Sequence, residues 1–115
     1  MPEINYHNRC FVGVENYDDG DLTGAIVFKY QQKNDVVWAM FEGGRVKFGT
    51  LIAEIDSDGN LTMCWQYLNV DGEFISGTCR SRLEILVDGR YRLHESWSVH
   101  GSGDRGTSVI EEVRC

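Results

Sequence analysis

An all-β fold, an antiparallel up-and-down barrel of eight to nine strands, is what three observations predict. The single proline stands at position 2, while thirteen glycines punctuate the chain beside Asp and Asn. Between these points lie alternating or β-branched stretches of strand length. No stretch holds an i, i+3, i+4, i+7 apolar stripe for three turns, so no long helix is expected. A meander of hairpins leaves two open edges, and closing the sheet on itself removes both. About eight strands leave an interior that side chains fill or that holds one small ligand.

The elements follow in order. RCFVGVE at 9–15 is the first strand, and NYDDGD at 16–21 is the longest early loop. LTGAIVFKYQ at 22–31 alternates Ile26, Phe28 and Tyr30 against Val27, Lys29 and Gln31, and "KN" turns it into DVVWAMFE at 35–42. There parity suggests Val36, Trp38 and Met40 as the inward set. A "GG" turn leads to RVKFGTLIAEID at 45–56, and "SDG" leads to NLTMCWQYLNV at 60–70, which offers Met63, Trp65 and Tyr67 inward. EFISGTCR at 73–80 and RLEILV at 82–87 come next, then RYRLHESWSV at 90–99 and GTSVIEEVR at 106–114. The whole of 1–115 reads as one barrel domain with 1–8 as a flexible start.

Within HGSGDRGTSV, Gly101, Gly103 and Gly106 match the spacing of a dinucleotide loop. Such a loop needs a helix after it and an acidic residue about 20 positions on. Here the sequence that follows is β-branched and alternating, so the stretch is a hairpin loop. A formal net charge of −7 without a basic cluster argues against nucleic acid and against an anionic membrane surface as partners. With no basic region followed by an apolar one at the start, a cytoplasmic location is expected. Cys10, Cys64, Cys79 and Cys115 form no C-x-x-C pair, so reduced thiols are expected, with Cys64 and Cys79 as the one cross-strand pairing to consider. His94 and His100 stand too far apart for one ion, so no metal or other cofactor is expected.

Two Asp-Gly turns allow the register to be written. Two-residue loops at Asp71-Gly72 and Asp88-Gly89 pair Trp65 with Thr78, Cys64 with Cys79, Arg82 with Glu95 and Arg80 with Trp97; a bulge would shift every pair. The strand at 90–99 must turn Tyr91, Leu93, Glu95, Trp97 and Val99 inward, because its other face is Arg92, His94, Ser96 and Ser98. Glu95 then lies among apolar neighbours, where an ionised carboxylate needs a partner, and Arg82 or Arg80 is the expected one. Trp97, Trp65, Tyr67, Trp38 and Tyr30 complete the candidate ligand-binding set around Glu95. Glu95 is also the candidate catalytic residue.

FGTLIAEIDSDGNLTMCWQYLNVDGEFISGTC at 48–79, with GRYRLHESW at 89–97 and GTSVIEE at 106–112, resembles a family of bacterial proteins of roughly 110 residues, whose members often carry the name N-acetylglutamate synthase. The resemblance covers most of 22–113, and RLHE-x-W at 92–97 is its most specific part. It implies a barrel similar to the calycin group, which includes lipocalins and fatty-acid-binding proteins. The acetyl-CoA turn Gln/Arg-x-x-Gly-x-Gly/Ala is absent, as is a G-x-W entering the first strand.

The function expected is binding of a small apolar or aromatic molecule in the barrel interior, with a homodimer left open. Two alternatives stand beside it. One is a small lyase or isomerase using Glu95 as acid/base with Tyr67 or Tyr30 in support. The other is a protein-interaction module with a filled core.

Overall fold

The structure, a computed structural model, describes residues 3–17, 21–23 and 25–115. Parts of the expected 16–21 loop and 22–31 strand, with Met1 and Pro2, lie outside the described residues. Eight strands are described: β1 (Arg9–Glu15), β2 (Val27–Lys33), β3 (Val36–Gly43), β4 (Val46–Ile55), β5 (Leu61–Asn69), β6 (Phe74–Ile85), β7 (Tyr91–Val99) and β8 (Arg105–Val113). Each pairs antiparallel with its sequence neighbour, and β8 pairs with β1 to close the barrel. The runs at 73–80 and 82–87 are one strand, β6. Ser81 does not break it: its side chain turns inward, 2% exposed, and its hydroxyl lies 3.8 Å from the Cys79 thiol.

The hairpin turns carry one residue more than a two-residue loop. The Asn69 amide donates to the Glu73 carbonyl at 3.0 Å, and the Leu86 amide donates to that of Arg90 at 2.8 Å. Each loop closes on a glycine in the left-handed region, with φ 79° at Gly72 and 91° at Gly89, as in a type I turn with a G1 bulge. The pairs become Trp65 with Gly77, Cys64 with Thr78, Ser81 with Glu95 and Arg82 with His94. A slip of one residue exchanges the faces of a strand. On β6 it turns Cys79 and Ser81 inward and leaves Arg80 and Arg82 on the exposed outer face. Cys64 is exposed and Cys79 buried, so they occupy opposite faces and do not pair.

On β3 the inward set is Val37, Ala39 and Phe41, not Val36, Trp38 and Met40. VVWAMFE is apolar on both faces, so alternation does not select one. Ala39, small, stands between Tyr30 and Leu51 and leaves room for the Tyr30 ring inside the barrel.

The end of the barrel carrying the β4–β5 and β6–β7 turns is filled. Tyr6, from the start read as flexible, is wholly buried there, donates to the Gly59 carbonyl at 2.6 Å, and meets the ring of Tyr91 edge-on at 5.3 Å. At the β1–β8 seam the Arg9 guanidinium donates to both oxygens of Glu112, at 2.9 and 3.1 Å. The expectation of reduced thiols is corrected at this seam. Cys10 and Cys115 form a disulfide with Cα atoms 5.4 Å apart. Among the described residues no helix is long and apolar enough to cross a membrane.

Candidate functional site

The opposite end, where Asn16, Tyr17, Asp21 and Leu22 between β1 and β2 and His100, Ser102 and Asp104 between β7 and β8 stand, opens into a cavity of about 580 Å³. Leu51, Met63, Cys79 and Phe28 line it together with Glu95, and Asp21, His100 and Asp104 stand at its mouth.

Glu95 enters from the middle of β7, between Ser81 on β6 and Ser108 on β8. It is 8% exposed. The hydroxyls of Tyr17 and Ser108 both donate to its Oε1, at 2.6 and 2.8 Å. Burial pushes the carboxyl above its ordinary pKa, and the two hydrogen bonds pull against that without overcoming it. Among the described residues no cation pairs with it. Burial likewise raises the Tyr17 phenol, with the charge of Glu95 adding to the effect. The Cys79 thiol, on the same wall, is pushed up to about 12, first by burial and then by Glu95.

Strand glycines make room for the aromatic walls. A Cβ at Gly13 would stand 2.2 Å from the Tyr17 ring, at Gly77 2.3 Å from Trp65, at Gly49 2.4 Å from Phe41, and at Gly106 2.6 Å from Trp97. Three of these are direct cross-strand pairs: Phe41 with Gly49, Trp65 with Gly77 and Trp97 with Gly106. Each large ring therefore lies across its neighbouring strand and leaves the cavity open. Trp65 stacks on Tyr67 with centroids 6.0 Å apart, and its indole N–H donates to the Thr78 carbonyl at 3.2 Å. At the mouth, Asn69 and Arg45 donate to Asp21 at 3.0 and 2.9 Å. Asn69 first, then Arg45 and Tyr67, hold that carboxyl below its ordinary range, against desolvation.

Of the candidate residues, the structure brings Glu95, Trp97, Trp65 and Tyr67 together in the cavity. Arg82 and Arg80 are not beside Glu95: they lie outside, opposite His94 and Ser96. Trp38 is also outside, half-buried against neighbours on the outer sheet face. Tyr30 is wholly buried toward the filled end, its ring 4.7 Å from Phe11, and its hydroxyl has no hydrogen-bond partner. The group in contact with Glu95 is Tyr17, not Tyr67 or Tyr30. Tyr17 and Ser108 are additions that sequence reasoning missed. Ser108 follows from parity on 106–114 once Glu95 is placed inward, whereas Tyr17 lies in a loop where no periodicity applies.

Neither the curated proteins nor the solved structures yield a match to this sequence. A family model does match: that of the avidin-like protein family, over residues 4–113. The match runs from the segment that fills one end of the barrel to the strand that closes the seam, so the chain as a whole belongs to the avidin-like family.

Proposed function

We propose that the barrel binds a small, partly aromatic or apolar molecule in its open end, with Glu95 as polar anchor and Trp97, Trp65 and Tyr67 as walls. The observation that carries this reading is a buried carboxyl that has no countercharge among the described residues, lining an open, aromatic-walled cavity. A purely structural carboxyl would be expected to be paired or replaced, because burying it uncompensated costs stability. The volume lies in the range of small-molecule sites. Membership of the avidin-like family accords with a barrel that holds a small ligand. Tyr17 and Ser108 fix the carboxyl, which leaves Oε2 for the ligand.

Native mass spectrometry of the chain, mixed with pools of small aromatic and aliphatic molecules, tests the reading. Adducts on the wild type that are absent from Glu95→Ala support it. Adducts of equal intensity on both proteins would place binding elsewhere.

A homodimer is favoured by one observation. On the outer face of the barrel, Met40 is 63% and Ile52 58% exposed, flanking the half-buried Trp38. Exposed apolar side chains grouped on one face suit a contact with a second copy of the chain. Sedimentation of Ile52→Lys against wild type reads the outcome: a dimer reverting to monomer supports the surface, and a monomeric wild type removes it.

A further inference from the structure

We propose that the ligand of this cavity is an organic cation, an amine or quaternary ammonium on an apolar or aromatic body, whose charged nitrogen sits against Glu95. The proposal rests on the reading of the cavity as a binding site and adds the ligand's charge to it.

The cavity is rich in carboxylates. Among the described residues Glu95, Asp21 and Asp104 line it, no Lys or Arg does, and the imidazole of His100 stands at the mouth. Asp21 is compensated from outside by Arg45. Glu95 and Asp104 are not: no ion pair among the described residues includes either. Both hydrogen bonds to Glu95 reach Oε1, and no described residue donates to Oε2. A cation on that oxygen supplies the countercharge that the fold withholds, in surroundings where water screens it little. An anion would be repelled there. A neutral hydroxyl would satisfy the hydrogen bond and leave the charge unpaired.

The walls point the same way. Trp65, Tyr67, Trp97, Phe28 and Tyr17 surround the space with aromatic rings, whose faces carry negative charge density and attract cations. Aromatic rings alone would serve any apolar ligand, and a carboxylate alone any hydrogen-bond donor. The combination selects a positive charge carried on hydrocarbon. A net charge of −7 on the chain adds long-range attraction for the same ligands.

Three probes with the same phenyl-alkyl body separate the possibilities: 2-phenylethylamine, 2-phenylethanol and 3-phenylpropionate, titrated calorimetrically into the full chain near neutral pH. The amine is expected to bind about tenfold or more tighter than the alcohol, with the carboxylate weakest. In Glu95→Gln the amine is expected to fall to the affinity of the alcohol, whose own affinity stays within about twofold. In Asp104→Asn, at the exposed mouth, a smaller loss that vanishes at high salt is expected. Equal affinity for amine and alcohol, or tightest binding of the carboxylate, would overturn the cation and leave a cavity that binds neutral or anionic molecules. No binding of any probe would overturn the cavity reading with it.

Discussion

At Glu95 two hydroxyl hydrogen bonds, from 2.6 and 2.8 Å, work against desolvation and lose, so the carboxyl's pKa stands above its ordinary value. The folded state therefore keeps this proton at pH values where the unfolded chain has released it. Stability then falls as pH rises from the unfolded value, about 4.3, through the folded one, and levels off above it. Glu95→Gln keeps an oxygen for Tyr17 and Ser108 but cannot ionise. In urea it is expected to be more stable than wild type at pH 8 by more than the roughly 0.5 kcal/mol of an ordinary surface change, and equal to it near pH 4. The same offset at both pH values would contradict the assignment. Cys79 is a second residue whose surroundings decide its chemistry. Buried, with its thiol pushed up to about 12, it should resist iodoacetamide in the folded protein while exposed Cys64 reacts, giving one adduct by intact mass. That Glu95 would be inward was legible from parity on RLHESWSV. That its contacts are hydroxyls rather than Arg82 was not, because the partner depends on how many residues the turn contains.

Among the elements, the hairpins and the glycines govern the geometry. Asp-Gly announces a turn, yet it fits both a two-residue loop and a three-residue loop with a bulge. The structure takes the longer form at Gly72 and at Gly89, and one residue at each decides which face of β6 meets the ligand space. On β3, Trp38 was expected inside on alternation alone, but the volume of the facing Tyr30 ring requires the small Ala39 there. The strands and their order were thus legible except that 73–80 and 82–87 form one strand, β6, and the faces only where one side of a strand is plainly polar. The glycine–aromatic pairs yield an element-level test. Gly106→Ala would set a methyl 2.6 Å from the Trp97 ring and force it from the wall. Such overpacking is expected to cost about 1–3 kcal/mol in chemical denaturation and to change the tryptophan emission. Unchanged emission would mean that Trp97 does not lie across that glycine.

For the molecule as a whole, closure joins the first strand to the last. The β1–β8 ladder carries the Arg9–Glu112 ion pair and the Cys10–Cys115 bond, whose sequence separation is 105. A cross-link over so long a loop contributes about 4–5 kcal/mol in the chain-entropy account. Reduction, or Cys115→Ser, is expected to lower Tm by many degrees; a shift of a degree or less would contradict a structural disulfide. Such a bond persists in oxidising surroundings and is rare where thiols are kept reduced. Closure itself was legible from the need to remove two sheet edges. The disulfide was not, since no spacing rule links residues so far apart.

The central claim is that the open end of the barrel is the ligand site. The most direct test follows the indole N–H signals of the three tryptophans by NMR while a set of small aromatic molecules, cationic and neutral, is added. Trp65 and Trp97 line the cavity, and Trp38 lies on the outer face. Saturable shifts of the Trp65 and Trp97 signals with Trp38 unmoved are the predicted result. Movement of Trp38 alone, or of none of the three with any compound, would contradict it.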